Sequence, residues 1–354
     1  MKGLILAGGA GKRLRPITHT SAKQLVPVAN KPVLFYGLEA LVEAGITDIG
    51  IIVSPETGEE IRAASGDGSA FGATLSYIEQ ERPLGLAHAL ITAEGFLGGG
   101  PFVIYLGDNL LRDGIVDLVE AFRVSEPDAL ILLTPVSDPS NYGVAELEVD
   151  RVVRLVEKPR DPPSDLALVG VYLFGPSIFG AAHAIEPSTH KKLEITDAIQ
   201  RMIDDGRRVE SRTVSGWWKD TGQLEDMLEA NRLVLEDVER RIDGELRESR
   251  VDGRIVVEEG AVIERSVVRG PAIIGAGSHI TDAYIGPFTA IDASVTVARS
   301  EIEDSILLAG STVSNLDARM ASSLLGRKVR LTRSDGPPRT LRMIVGDNSE
   351  LIVP

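Results

Sequence analysis

The sequence predicts an α/β domain built on a mostly parallel sheet over residues 1–245, then a parallel β-helix domain with a terminal cap over 246–354. Three observations predict this. Short apolar runs alternate with helix-spaced segments through the first part of the chain. After Ser249 an apolar residue recurs about every six positions, with glycines between. A length of 354 residues leaves room for two domains at roughly 100–200 residues each.

Gly3 to Ala7 reads as a buried parallel strand, short, apolar and ended by glycines. Pro32 sits where a first helical turn begins, Val33 to Ala44 has helical spacing, and Gly45 stops it. Asp48 to Ser54 is a second strand, Pro55 to Ala64 a helix, Leu75 to Glu79 a third strand and Ala87 to Gly95 a helix. Phe102 to Leu106 is another buried strand, ending in Gly107-Asp108-Asn109. Gly114 to Phe122 is a helix and Ala129 to Val136 a strand. Such an order favours helices on both faces of the sheet. Strands near Val152–Val156 and Val169–Phe174 follow, then a helix after Thr196, whose hydroxyl is placed to cap it, with Asp197 in its first turn. Gln223 to Arg241 reads as one long charged amphipathic helix closing the first domain.

In the tail, Val256, Val262, Val268, Ile274 and Ile280 keep a six-residue step; Ile285, Ile291 and Val297 resume it, and Ile302 follows. Each step supplies one short strand whose apolar residue faces a prism-shaped core. From Val256 to Val313 this gives about three coils at six residues per strand. Arg327 to Val353 reads as a capping hairpin around Pro337-Pro338.

Composition excludes several functions. Acidic residues number 52 against 37 basic, a net charge of -15, which disfavours nucleic acid and anionic membrane as partners. The chain has no cysteine, so disulfides, thiolate zinc sites, iron–sulfur clusters and thiol catalysis are ruled out. No apolar run approaches the ~20 residues of a membrane span, and the run Leu4–Ala7 is too short for a signal-peptide core. A cytoplasmic location is the expectation. The histidines His19, His88, His183, His190 and His279 show no metal-ligand spacing, and His279 reads as a turn residue rather than an acyl-transfer base.

The informative cations sit against this acidic background. Gly8-Gly9-Ala10-Gly11 follows the first strand, where glycines let backbone N–H groups approach phosphate oxygens. Lys12, Arg13 and Arg15 follow at once, then Lys23 and Lys31. The loop is neither a Walker A motif, since Arg13 follows Lys12, nor a dinucleotide fingerprint, since Leu14 replaces the third glycine.

Gly8 to Pro16, with Lys23-Gln24-Leu25-Val26-Pro27-Val28 and Lys31-Pro32, resembles the signature of sugar-1-phosphate nucleotidylyltransferases. Further matches follow in order: Gln80 with Pro83 to Ala89, Leu106-Gly107-Asp108-Asn109, Tyr142-Gly143-Val144, Glu157-Lys158-Pro159, Glu194-Ile195-Thr196-Asp197 and Trp218-Lys219-Asp220-Thr221-Gly222. They run from residue 3 to about 222, and the hexad tail is similar to that of the family's longer members. The resemblance implies a Rossmann-like nucleotidyltransferase domain followed by a left-handed β-helix. It implies that a sugar-1-phosphate oxygen attacks the α-phosphorus of a nucleoside triphosphate and pyrophosphate leaves, with Mg²⁺ and without a protein nucleophile. The thymidine-nucleotide subgroup is the nearest in pattern. The implied substrates are therefore dTTP, or alternatively UTP, with glucose-1-phosphate, and the implied product is dTDP-glucose.

By the same resemblance, Gly8, Gly9 and Gly11 hold the nucleotide through backbone N–H groups, with Leu6 and Gln24 beside them. Arg13 neutralises the triphosphate and the emerging pyrophosphate, and Lys23 contacts the phosphates at the reacting centre. Lys12 departs from the family, where threonine is usual; it either adds a pyrophosphate contact or faces solvent. Asp108 and Asp220 are the metal pair, two oxygen ligands of the kind Mg²⁺ prefers; Asp108 could also meet the ribose 3′-hydroxyl. Gln80 reads the pyrimidine edge, with Pro83 and Gly85 in close contact. Lys158 grips the sugar phosphate, Glu157 and Gly143 bond sugar hydroxyls, and Asn109, Tyr142, Val169 and Glu194 complete that side. Glu194 and Thr196 could instead simply start a helix, and Trp218 could pack under the metal loop or against the sugar.

Two other functions are open to the sequence. A bifunctional uridylyltransferase and acetyltransferase would need a longer β-helix for its acyl-CoA groove. A non-catalytic nucleotide-sugar-binding homologue would be expected to lose Arg13, Lys23, Asp108, Lys158 or Asp220, all of which are present. A β-helix with open ends also invites subunit packing, so a homo-oligomer mediated partly by residues 250–354 is expected.

Overall fold

The computed structural model describes residues 1–149, 151–188, 191–333 and 345–352. The chain forms two compact units. The first comprises Met1–Ala10, Ser21–Leu25 and Val33–Asp220; the second comprises Gly11–Thr20, Val26–Pro32 and Thr221–Pro354.

The first unit is a nine-stranded sheet. Its main path runs Arg151–Glu157, Gly143–Glu148, Leu166–Phe174, Phe102–Leu106, Lys2–Leu6, Asp48–Val53, Thr74–Glu79. The last four of these strands are parallel, with Leu6 level with Leu106 and Ile52, and Val53 level with Glu79. Their near-continuous apolar runs suit strands covered on both faces, and two buried clusters flank the sheet. Leu166–Phe174 runs antiparallel to its neighbours, and Val209–Thr213 closes the other branch through Ala129–Pro135. Parallel strands deliver their carboxyl ends to one edge, so Gly8, Ser54, Gln80 and Asp108 all leave the sheet there.

Two helix expectations need correction. Thr196 is not the cap of the Ile195–Asp204 helix: Glu194 holds that position, and the Thr196 hydroxyl bonds elsewhere. The long helix spans only Leu224–Glu236. Its buried face ends at Leu235, and Arg241–Ile242 is already a strand paired with Val256–Val257.

The second unit contains stacked short parallel strands in three sheets, of six, six and five strands. Ile255 lies level with Ala272, Val262 with His279 and Val267 with Tyr284, so these coils take 17 residues each; toward the end of the stack Thr296 is level with Thr312 and Ile306 with Leu324. This architecture is consistent with the left-handed β-helix implied by the resemblance. The inward positions run Val257, Ile263, Val268, Ile274, Ile280, Ile285, Ile291, Val297, Ile302, Leu307, Val313. Val256 and Val262, expected inward, lie outside that core. A 17-residue coil divides as two six-residue sides and one five-residue side, and a strict count of six falls one residue out, onto the opposite face of the strand. The stack also outruns the apolar repeat. It begins at Arg241–Ile242 and reaches Arg330–Thr332, where charged residues take outward positions and adjacent coils supply the pairing. The turn of the expected hairpin between Arg327 and Val353, with Pro337-Pro338, lies outside the described residues, as does His190.

Within this unit the Leu224–Glu236 helix is pinned to the coils. Asn231, fully buried, accepts from the Ala29 N–H and donates to the Phe288 carbonyl, both at 2.9 Å. Arg232 pairs with Asp304, and Asn30 donates to the Ile291 carbonyl at 2.7 Å. Among the described residues no helix is long and apolar enough to cross a membrane.

Candidate functional site

At the carboxyl edge of the parallel strands, a buried lysine joins two carboxylates. Lys23, on the short Lys23–Leu25 turn, is 7% exposed. Its Nζ lies 2.5 Å from Asp108 Oδ2 and 3.6 Å from Asp220 Oδ1. Asp108 lies in the turn between the Phe102–Leu106 and Asn109–Leu111 strands; Asp220 ends Trp218–Asp220, which pairs antiparallel with Asn109–Leu111 and sets Asp220 beside Asn109. A strand separation thus brings together residues 112 positions apart in sequence.

Asn109 holds this arrangement. It is 2% exposed, and its Nδ2 donates to Asp108 Oδ1 at 2.9 Å. Its Oδ1 accepts from Trp218 Nε1 at 2.6 Å and from the Gly170 N–H at 3.2 Å. A side chain at Gly170 would meet the Asn109 amide, so glycine is required for this approach. Trp218 also stands edge-on to Tyr142, with ring centroids 5.5 Å apart. Trp218 is thus tied to Asn109 through its indole N–H and to Tyr142 through its ring.

Two carboxylates at this edge form a hard-oxygen donor set that fits a divalent cation whose remaining ligands are phosphate oxygens and water. Among the described residues no cluster of three or more His, Cys, Asp or Glu side chains could hold a metal. Beside them Gln24 is 2% exposed, and its amide oxygen has no hydrogen-bond partner among the described residues. It lies between Gly9 and Gly107: a Gly9 Cβ would stand 3.5 Å from its Nε2, and a Gly107 Cβ 3.4 Å from its Cγ. A buried acceptor left open in this way fits a donor from a ligand.

Gln80 leaves the Thr74–Glu79 strand beside Gly8, whose Cβ would stand 3.6 Å from Gln80 Oε1. Gly85 caps the Leu86–Thr92 helix at φ 111°, a region L side chains rarely adopt, and a Cβ there would strike the Leu193 backbone. Pro83 is exposed.

A second polar group lies along the Gly143–Glu148 and Arg151–Glu157 hairpin, where Glu157 is level with Gly143. Glu157 accepts from Thr196 Oγ1 at 3.1 Å and stands 3.3 Å from Lys158 Nζ. A Cβ on Gly143 would lie 2.6 Å from Thr196 Cγ2, so only glycine lets this strand pass. Glu194 is buried, and Ser188 Oγ donates to it at 3.4 Å. Burial, then the Glu157 charge, raises the pKa of Glu194, with Lys192 and Lys158 opposing; the same two causes raise Asp197. Val169 and Leu6 have their side chains in the core, which leaves their backbones for any ligand contact.

Gly11, Lys12, Arg13 and Arg15 belong to the second unit. Gly11, at φ 58°, opens the Lys12–Leu14 turn, and Thr18 Oγ1 donates to its carbonyl at 2.7 Å. Leu14 is buried, while Lys12, Arg13 and Arg15 expose their side chains. Sequence reasoning missed the bonds that Asn109 makes to Asp108 and Trp218 and the close approach of Gly170. Asn109 was assigned to the sugar from its place in a motif, and nothing in its spacing announced Trp218 as partner.

The nucleotidyl transferase family pattern matches residues 2–237. A glucose-1-phosphate thymidylyltransferase of Streptomyces antibioticus is 57% identical over 354 residues, covering 99% of each chain. Among solved structures, a Bacillus anthracis chain assigned as a glucose-1-phosphate thymidylyltransferase and solved with sucrose is 36% identical. It gives a TM-score of 0.64 over 68% of this chain and 97% of its own. A UDP-glucose pyrophosphorylase with UDP-glucose gives 0.60 at 27% identity, over 66% of this chain and 98% of its own.

Proposed function

Because the chain belongs to the nucleotidyl transferase family, we propose that it transfers dTMP from dTTP to glucose-1-phosphate, giving dTDP-glucose and pyrophosphate. The observation that carries this is Lys23, buried between Asp108 and Asp220 where the parallel strands end. Near-complete coverage by the Streptomyces antibioticus relative supports the choice of nucleotide and sugar.

The reaction is a displacement at phosphorus. The sugar phosphate oxygen forms the new bond to the α-phosphorus, and the bond to the β-phosphate oxygen breaks, its electron pair leaving with pyrophosphate. Two anions must be held together, and the protein supplies position and positive charge. Lys23 neutralises phosphate oxygens at the reacting centre, and the exposed Arg13 the triphosphate. Asp108 and Asp220 hold Mg²⁺, which when bound supplies further charge neutralisation on the phosphates. Asn109 and Trp218 keep Asp108 in place. Gly8, Gly9 and Gly11 offer backbone donors, and the open Gln24 oxygen accepts from a substrate hydroxyl. Gln80 and Gly85 meet the base; Lys158, Glu157, Gly143 and Tyr142 take the sugar phosphate. The assignment is to a cytoplasmic enzyme that assembles as a homo-oligomer through its coil-bearing part.

Incubation with dTTP, glucose-1-phosphate and Mg²⁺ should release pyrophosphate. No release with any nucleoside triphosphate and sugar-1-phosphate would remove the proposal. Similarity to a UDP-glucose pyrophosphorylase favours UTP as a second nucleotide. One methyl group separates the bases and is worth only ~1–3 kcal/mol, so both nucleotides belong in the same assay.

A further inference from the structure

Gln80 is an amide whose two ends differ in hydrogen bonding but hardly in shape, so its neighbours decide which end faces a ligand. It is 8% exposed. Its Nε2 lies 2.9 Å from His88 Nδ1 and 3.3 Å from the Gly85 carbonyl oxygen. A carbonyl can only accept, so the NH₂ end must face Gly85. His88 Nδ1 is then the acceptor of the second N–H, with the imidazole proton on Nε2. The Gly85 carbonyl also takes the Ala89 N–H of the helix at 3.1 Å, which makes His88 the shorter and less shared partner. Both N–H groups of Gln80 are thereby turned toward the Leu86–Thr92 helix, and Oε1 is left on the side of Gly8.

We infer that His88 is a positioning residue for base selection: it fixes the Gln80 amide so that its carbonyl meets the N3–H of a pyrimidine. Thymine and uracil carry that hydrogen between two carbonyls. Cytosine carries none at N3 and offers an acceptor there, so the same carbonyl repels it. The inference rests on the proposed contact between Gln80 and the base. It adds that His88, acting through Gln80, decides which end of the amide is shown.

The test is steady-state kinetics of the full chain with Mg²⁺ and glucose-1-phosphate, using dTTP, UTP and dCTP. His88→Leu keeps bulk but removes the acceptor. It should raise KM for dTTP and UTP together, by about five- to tenfold for one lost hydrogen bond, with kcat within about twofold. The KM for glucose-1-phosphate should hold, and preference over dCTP should fall by a similar factor. His88→Asn can place an amide oxygen near the Nδ1 position and should restore both values. Calorimetric binding of dTTP reads the same difference without turnover. If Gln80→Ala raises the nucleotide KM while His88→Leu leaves it unchanged, the positioning role is overturned and the base contact stands. If Gln80→Ala also leaves it unchanged, the base contact itself has failed and the inference falls with it.

Discussion

In the coil stack, four buried serine hydroxyls close on backbone, while that of Ser311 has no partner among the described residues. Ser266 donates to the Glu264 carbonyl and accepts the Ala283 N–H of the next coil, at 2.7 and 3.0 Å. Ser300 and Ser305 repeat the pattern, and Ser278 instead donates forward to the Asp292 carbonyl while accepting the Val295 N–H, so each ties its own coil to the following one. In the α/β unit, buried polar side chains instead converge on one edge, from segments far apart in sequence. Lys23, Gln24, Gln80 and Asn109 are all under 9% exposed there. The Gln24 oxygen is left open, and Lys23 holds two carboxylates near one another. Burying a polar group without a partner costs on the order of 1–3 kcal/mol, and single open hydroxyls also occur at Ser65 and Ser311, so what marks a place for a ligand is an open group among several buried polar side chains that converge.

The sharpest break of that contrast is at the carboxylates. Asp108→Asn and Asp220→Asn should each lower kcat by at least about 10²-fold, as removal of a charge aimed at the reacting centre does. Melting temperature should move little, because either remaining carboxylate still faces Lys23. Pyrophosphate release across a Mg²⁺ titration, paired with a melting curve, separates the two. Near-normal turnover with a large drop in melting temperature would place these acids with the serines, as structural groups.

The opposite expectation holds for Asn231. Asn231→Leu strips partners from the Ala29 N–H and the Phe288 carbonyl. Two buried groups left unpaired should destabilise the protein by roughly 2–4 kcal/mol. The loss should show in thermal or urea unfolding, while kcat measured well below the transition stays within a few-fold. An unchanged midpoint would mean that the two groups find other partners, and closure on backbone would then not be what holds this helix to the coils.

How much could be read in advance follows from the same contrast. Coil residues repeat because each coil repeats the last, so the β-helix was legible from Val268 to Ile302. The one-residue slip at Val256 and Val262 came from the unequal sides of a coil, which a single period does not express. The parallel strands were legible because burial on both faces leaves uninterrupted apolar runs. Motif resemblance supplied Lys23, Asp108 and Asp220 as candidates, and their separate strand ends explain why spacing alone did not. Short paired strands such as Asn109–Leu111 and Trp218–Asp220 carry no periodic signal, since three residues hold too few alternations. The Asn109–Trp218 bond, the Gly170 approach and the His88–Gln80 contact therefore required the folded chain. Thr196 misled for a related reason: a hydroxyl before a helix is a good cap only when no better acceptor is near, and Glu157 is 3.1 Å away.

The smallest expected effect lies between closure and openness, at Glu194. Its carboxyl is buried and faces the charge of Glu157, and both raise its pKa; Lys192, Lys158 and the Ser188 hydroxyl offset this only in part. A raised native pKa means that the folded state resists ionising this group, whereas the unfolded chain does not. The group's contribution to stability is then full below the unfolded pKa and is lost as pH rises through the folded value. Glu194→Gln removes the charge and keeps the shape. It should therefore melt above the parent at pH 7–8, with the gap closing toward pH 4, where the parent carboxyl is already protonated. If Glu194 also serves glucose-1-phosphate, the same variant should raise the KM for the sugar phosphate while leaving that for the nucleotide unchanged. A variant that melts lower than the parent at neutral pH would show that the ionised carboxylate is stabilised by its lysines, and Glu194 would then belong with the groups whose bonds are closed.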